Sequence, residues 1–191
     1  MIRTFIAIEI PSGVRKELEK DLADLRRAAP RVKWSRGDNL HLTLAFLGNV
    51  PEKDMGELFD SLREDLAEMR PFALEISGIG VFPHWGCPRV VWAGCGEGSE
   101  DATQLGGTVK GICAALGYNP ERRPFRPHIT LGRVKLLEDA SSLRETAKRF
   151  AGKSYGFMDA DRVSVFMSQL RRTGPVYVPM AAIDLGQSGP G

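Results

Sequence analysis

Hydrophobic and polar positions alternate with two periods along this chain, one suited to strands and one to helices. Thr4 to Ile10 (TFIAIEI) predicts a strand, and Pro11-Ser12-Gly13 then opens a charged helix from about Val14 to Ala28. Leu18, Leu22 and Leu25 mark the buried stripe of that helix. A basic loop from Arg31 to Asp38 leads into a second strand, Leu40 to Leu47, and Pro51 starts an acidic amphipathic helix running to about Met69. Phe72 to Phe82 reads as a third strand, interrupted by Gly78 and Gly80.

From Arg89 the same order begins again. RVVWAGC is a strand, Asp101 to Leu116 a helix stopped by Gly117, and His128 to Val134 a strand. A helix at about Asp139 to Phe150 and a strand at Asp161 to Gln169 follow. An offset of 87 residues, held without a gap, lays Phe5 on Trp92, Pro30 on Gly117, His41 on His128, Thr43 on Thr130 and Ile76 on Val163. This register predicts an internal duplication, approximately 1–86 and 87–175, within one bilobal domain spanning 1–191, and Val176 to Leu185 adds a closing strand. The expected fold is α+β: two pseudo-symmetric lobes, each an antiparallel-rich sheet with outer helices, facing a central cleft.

Composition changes this picture little. The chain has 191 residues, 42% of them hydrophobic, and 26 Lys+Arg against 24 Asp+Glu leave a net charge of +2, so bulk charge demands neither nucleic acid nor a membrane. Basic residues are nevertheless grouped at Arg26, Arg27, Arg31, Lys33 and Arg36, at Arg122, Arg123 and Arg126, and at Arg171 and Arg172, as a polyanion would require. The three cysteines (Cys87, Cys95, Cys113) are odd in number and lack C-x-x-C spacing, which argues against a disulfide framework and a thiolate zinc site. MIRTFIAIE is too short and too acidic for a signal sequence, and no run approaches a membrane span. A cytoplasmic monomer with no membrane partner is expected.

Candidate chemistry is concentrated in the histidines. Two of the three occupy one frame, His41-Leu42-Thr43-Leu44 and His128-Ile129-Thr130-Leu131, a coincidence that shuffling would produce in roughly a few cases per hundred thousand. Strand alternation puts His41, Thr43 and Ala45 on one face and Leu42, Leu44 and Phe46 on the other. It likewise groups His128, Thr130 and Gly132, with Arg126 leaning to the histidine side and Arg133 opposite. One such pair alone is ordinarily a satisfied polar contact in a core. Two in register, facing each other across a cleft, suit general acid-base catalysis, because an imidazole of pKa near 6.5 can take or give a proton at neutral pH. The threonine hydroxyls suit phosphoryl oxygens. Two imidazoles fall short of the three or four donors a metal usually takes, so neither metal nor cofactor is expected. His84 lacks a Thr partner and a copy in the other half, which assigns it to a loop. Trp34, in the basic loop, is a capping hydrophobe or a stacking surface for a base.

At these motifs the chain resembles the 2H phosphoesterase superfamily, and within it the RNA 2',3'-cyclic phosphodiesterases, also called 2'-5' RNA ligases. The likeness extends through TFIAIEIP, VKWSRGDNLHLTLAFLG, GIGVFP with PRVVWAG, FRPHITLGR and SQLRRTGPVY. It implies metal-independent opening of a 2',3'-cyclic phosphate, on an RNA end or a nucleotide, to the 2'-phosphate, with 2'-5' ligation as the reverse. His41 would be the proton donor to the leaving 3' oxygen and His128 the proton acceptor that activates water. Thr43 and Thr130 would hold the phosphate, and Arg126 and Arg133 match basic positions near the family's site. Gly132 stands where Ala is commoner, a change of space in the pocket. Competing readings are a non-catalytic RNA-end binding module and a cyclic phosphodiesterase for a small nucleotide such as an ADP-ribose cyclic phosphate.

Overall fold

A computed structural model describes residues 1–121, 123–135, 140–172 and 174–186. The elements run β1 (Ile2–Glu9), α1 (Ser12–Ala28), β2 (Lys33–Trp34), β3 (His41–Val50), α2 (Met55–Leu66), β4 (Phe72–Phe82), β5 (Val90–Cys95), α3 (Ser99–Ala115), β6 (Ile129–Arg133), α4 (Ser141–Lys148), β7 (Ser154–Ala160), β8 (Arg162–Arg171) and β9 (Gly174–Asp184). The strands join one curled sheet in the order β7-β4-β5-β6-β3-β1-β8-β9, every pairing antiparallel, with β2 added beside β6. The architecture is α+β, as expected, and the two half-sheets meet at a single residue pair, Leu42 with Ile129.

The order reads the same from either edge once β1 is exchanged for β5, β3 for β6, β4 for β8 and β7 for β9. The spatial halves are nevertheless not the sequence halves. β4, from the first half of the chain, lies between β5 and β7, while β8, from the second, lies beside β1. The helices cross in the same way: α1, launched from β1, packs on β7 and α4, and α3, launched from β5, packs on β3 and α2. Each half-sheet therefore draws its hydrophobic partners from both halves of the chain, and a cut near residue 87 would leave neither with its full complement.

Burial follows the helical stripe the sequence shows. Val14, Leu18, Leu22 and Leu25 of α1 and Leu58, Leu62 and Leu66 of α2 enter one main core with Ile6, Ile8, Leu42, Leu44, Ile129 and Leu131 of the strands. Asp21, buried within the stripe of α1, receives Lys153 Nζ at 2.8 and 2.9 Å and the Tyr155 hydroxyl at 3.0 Å, which fastens the helix to β7. That saturates a carboxylate which would otherwise be costly to bury. A second, smaller cluster of Phe5, Ala7 and Phe166 with Tyr177 lies apart from the main core, so β1 is buried on both faces.

Several expectations need correction. The segment Ser154–Ala160 is a strand paired with β4 along most of its length, missed because Gly156 and Asp159 break the apolar alternation that would reveal it. Lys33–Trp34, expected within a loop, is a two-residue strand on β6. Helix α2 ends at Leu66, and α4 covers Ser141–Lys148; its expected start at Asp139 lies outside the described residues. Two register shifts matter more. In β3, Ala45 pairs with Ile6 and Thr43 with Ala7, so Leu44 is an extra residue; in β6, Gly132 pairs with Val91 and Thr130 with Trp92, so Leu131 is extra. These bulges lie 87 residues apart and reverse the alternation beyond them. Ala45 is buried in the main core and Phe46 faces Phe5, opposite to the expected parity. Gly132 accommodates Trp34 and is not a space in the pocket: a Cβ there would lie 2.8 Å from the Trp34 ring and from Val32. Among the described residues no helix is long and apolar enough to cross a membrane.

Gly132→Ala is accordingly expected to destabilise the fold by about 1 to 3 kcal/mol through overpacking against Trp34. Denaturant unfolding measures this, and an unchanged midpoint would mean that the Trp34 ring moves aside without cost.

Candidate active site

The site grows from the junction of the half-sheets. Leu42 and Ile129 are fully buried in the main core, so the residues flanking them point to the opposite, concave face. One step either way, the antiparallel register sets His41 across from Thr130 and His128 across from Thr43. A frame of H-x-T in both strands, paired at its middle residue, thus yields a square of two imidazoles and two hydroxyls. All four residues are half-buried. Among the described residues neither threonine hydroxyl is engaged in a side-chain hydrogen bond, which leaves both able to donate to a ligand.

Each imidazole is held in the same way. His41 Nδ1 donates to the Asn39 carbonyl at 2.8 Å, and His128 Nδ1 donates to the Arg126 carbonyl at 2.6 Å, in each case two residues back. A carbonyl oxygen only accepts, so Nδ1 carries the proton in both rings and Nε2 holds the free lone pair. Asn39 closes a short 3-10 turn, Gly37–Asn39, and its side-chain amide donates to the Pro175 carbonyl of β9 at 3.0 Å. The backbone that orients His41 is thereby tied to the far strand of its half-sheet.

Aromatic rings supply the walls. Phe5 stacks on His41 with centroids 4.8 Å apart, Phe166 lies behind Phe5 at 5.1 Å, and Tyr177 meets His41 edge-on at 5.2 Å. On the other side Phe82 meets His128 edge-on at 5.0 Å and is itself packed 5.2 Å from Trp92. This dry setting disfavours a charged ring. Burial pulls His41 from its ordinary 6.5 down to about 4, against the bond to the Asn39 carbonyl, and the positive charge of Arg133 adds to the lowering. Burial also lowers His128, again opposed by its carbonyl bond and assisted by Arg133, with the Glu121 carboxylate pulling the other way.

That shared influence places Arg133 correctly. Simple alternation put it on the face opposite His128, but the bulge at Leu131 turns it to the concave side, where its charge reaches both imidazoles. Arg126 contributes its main-chain carbonyl, and its side chain is exposed. Trp34 resolves as the capping hydrophobe: its ring packs on the main core and its Nε1 donates to the Ala29 carbonyl at 3.0 Å. His84 sits in an exposed turn, its Nδ1 accepting from the Gly86 amide at 3.2 Å. Of the basic groups, Arg122 lies outside the described residues; Arg26 donates to the Ser35 carbonyl at 3.0 Å, and Arg171 is 3.5 Å from the Gln169 side chain. Among the described residues no three His, Cys, Asp or Glu side chains gather as a metal site.

Sequence reasoning missed Phe5, Phe82, Trp92, Phe166, Tyr177 and Asn39. Phe5 and Trp92 were marked by their superposition at the 87-residue offset, but nothing local singles out Tyr177, which arrives through the pairing of β9 with β8.

This geometry has known relatives. The family described as LigT like phosphoesterase matches residues 8–92 and 95–177, and the chain belongs to it, within the 2H superfamily. An RNA 2',3'-cyclic phosphodiesterase of Methanothermobacter thermautotrophicus is 33% identical over 184 residues, covering 96% of this chain and 99% of that protein. A solved structure from Thermus thermophilus is similar with a TM-score of 0.80 and 26% identity, covering 97% of this chain and 99% of that one. The crystal structure of E. coli LigT complexed with 3'-AMP gives 0.76 and 25% over the same shares.

Two measurements follow from the electrostatics. Because folding lowers the His41 pKa, the neutral ring is favoured by the folded state: its contribution is complete above about pH 6.5 and is lost as pH falls through about 4. Unfolding free energy measured from pH 7 to pH 4 should therefore drop less in His41→Gln than in the parent, and parallel curves would refute the dry setting. In the same range, proton NMR of Arg133→Gln should move both histidine midpoints upward, whereas a shift of one alone would place Arg133 beside a single ring.

Proposed function

We propose that the chain opens 2',3'-cyclic phosphates at RNA or nucleotide ends to the 2'-phosphate, with His41 and His128 as the acid-base pair. The observation that carries this reading is the register of Leu42 with Ile129, which sets two imidazoles of fixed tautomer beside two open hydroxyls. Relatives named RNA 2',3'-cyclic phosphodiesterase, about 30% identical over most of the chain, support it. Water attacks phosphorus as His128 Nε2 takes its proton; the bond from phosphorus to the 3' oxygen breaks, and that oxygen takes a proton from His41. Thr43 and Thr130 donate to the non-bridging oxygens, and Arg133 balances the anion. Each imidazole contributes typically ~100 to 10,000-fold. With a 5'-hydroxyl in the place of water as the attacking group, the same steps form a 2'-5' linkage: His128 takes the hydroxyl proton, the bond from phosphorus to the 3' oxygen breaks, and His41 protonates that oxygen; run backwards, they cleave the linkage. Arg126 serves this scheme through its carbonyl. A monomer in the cytoplasm, with RNA as the partner, fits this reading.

The free enzyme keeps both rings neutral at pH 7, so the acid must gain its proton with help from the substrate. An anionic cyclic phosphate between the rings offsets Arg133 and the loss of solvent, which raises both pKa values in the complex. Turnover of 2',3'-cyclic nucleotides and a short cyclic-ended RNA, with EDTA present and the phosphate isomer identified, tests the activity. The expected product is the 2'-phosphate alone; no turnover, or turnover restored only by a divalent ion, overturns the scheme. The bell-shaped profile of kcat should lie at higher pH than that of kcat/KM, since the first reports the complex and the second the free enzyme. Coincident profiles would show that the substrate does not raise the histidines.

Side-chain deletion separates the roles. His41→Ala with His128→Ala should be scarcely slower than either single change, as for groups working as a unit. Thr43→Ala or Thr130→Ala should slow turnover by about one to two orders of magnitude, the loss of one donor to a charged group. Full activity in both threonine variants would remove them from the site.

A further inference from the structure

The two imidazoles are not braced alike. His41 is stacked by Phe5 and met edge-on by Tyr177, and the carbonyl that accepts from its Nδ1 belongs to Asn39, which is tied to Pro175. The carbonyl that accepts from His128 belongs to Arg126, in the irregular segment before β6. Among the described residues Phe82 is the one aromatic ring against His128. A hydrogen bond at one nitrogen fixes a point of an imidazole and not its plane, so the plane of His128 is set by packing, and that packing is Phe82.

Phe82 is the last residue of β4 and only half-buried, and Trp92 packs on it at 5.2 Å and 36°. Strand pairing sets Trp92 across from Gly80, and with Val81, Val91 and Ala93 turned into the main core, Gly80, Phe82, Trp92 and Gly94 share the concave face. A Cβ at Gly80 would lie 2.3 Å from the indole ring and one at Gly94 2.9 Å, so the ring lies flat on two bare stretches of backbone. Its Nε1 is buried without an acceptor among the described residues, so no hydrogen bond sets the angle of the indole; its seat does. Two glycines inside strands and an unmet N–H each weaken the fold locally. What they secure is a ring low enough on the sheet to back Phe82.

We propose that Trp92 is a positioning residue for His128: seated on Gly80 and Gly94, it holds Phe82 against the imidazole and thereby aims Nε2 at the attacking water. This rests on the phosphodiesterase reading above, in which Nε2 takes the proton of that water. At the 87-residue offset Trp92 corresponds to Phe5, which stacks on His41 directly. In this half of the cleft the same support passes through one further ring.

Kinetics and proton NMR on the full chain test this. Trp92→Leu and Phe82→Leu should each lower kcat on adenosine 2',3'-cyclic phosphate by about 10- to 100-fold, with KM within about twofold of the parent, as for a misplaced base. The double variant should be no slower than Phe82→Leu alone, because Trp92 works through its neighbour. Multiplicative losses, or a risen KM with kcat held, overturn the proposal. Gly80→Ala keeps every aromatic ring but lifts the indole from its seat, and it should reproduce the loss; where Trp92→Leu does not fold, this variant carries both measurements. In the NMR spectra the ring-proton signals of His128 should move in Trp92→Leu and Gly80→Ala, since the ring current of Phe82 falls on them differently, while those of His41 stay. Unmoved His128 signals in a folded variant overturn the proposal and leave the phosphodiesterase reading intact. An inactive parent overturns that reading, and the signals still decide whether Trp92 places His128.

Discussion

The pairing of Leu42 with Ile129 is the contact on which the rest of the molecule depends. It joins two half-sheets at one point, and its two apolar side chains lock into the main core. Everything of chemical interest follows from their neighbours facing the other way. Because the pairing is antiparallel and centred on the middle of each H-x-T frame, the histidine of one strand stands against the threonine of the other. A shift of one residue in either strand would send an imidazole into the helices and a leucine into the cleft, so the burial of the main core holds the site in register.

Side chains set so firmly are also set in a dry place. Phe5 and Tyr177 around His41, and Phe82 beside His128, exclude water, and Arg133 adds a positive charge that both rings must tolerate. The carbonyls of Asn39 and Arg126 offset part of this by accepting from Nδ1, and they fix the tautomer at the same time. The free site is thus poised against positive charge on its histidines, and an anion entering the cleft relieves that bias. An anion in the cleft and a proton on either ring are coupled through the same few groups, because the Arg133 charge that disfavours an imidazolium favours an anion.

Near-symmetry accounts for the paired groups, and its failures make the two sides of the cleft unlike. The bulges at Leu44 and Leu131 recur at the same places in the two halves, yet they present Phe46 on one side and Arg133 on the other. The exchange of β4 and β8 between half-sheets, and of α1 and α3 across them, makes each half of the chain complete the other. A cleft built at such a junction has its two walls supported by one continuous core.

Much of this was legible in the sequence. Helical and strand periods placed most elements, since burial on one face imposes a repeat that needs no knowledge of partners, and the doubled H-x-T frame marked His41, Thr43, His128 and Thr130. Local pattern could not reveal β7, whose pairing with β4 overrides its glycine and aspartate, or the crossing of strands between half-sheets, which depends on contacts distant in the chain. Nor could it foresee the bulges, because an extra residue is defined only against the strand opposite. Alternation counted along one strand therefore put Arg133 and Phe46 on the wrong face and made Gly132 a pocket residue when it is the seat of Trp34. The residue types of the site were determined by the sequence; their facing, their dryness and the cation between them were decided by tertiary pairing, because hydrogen-bond register and burial are properties of two strands and never of one.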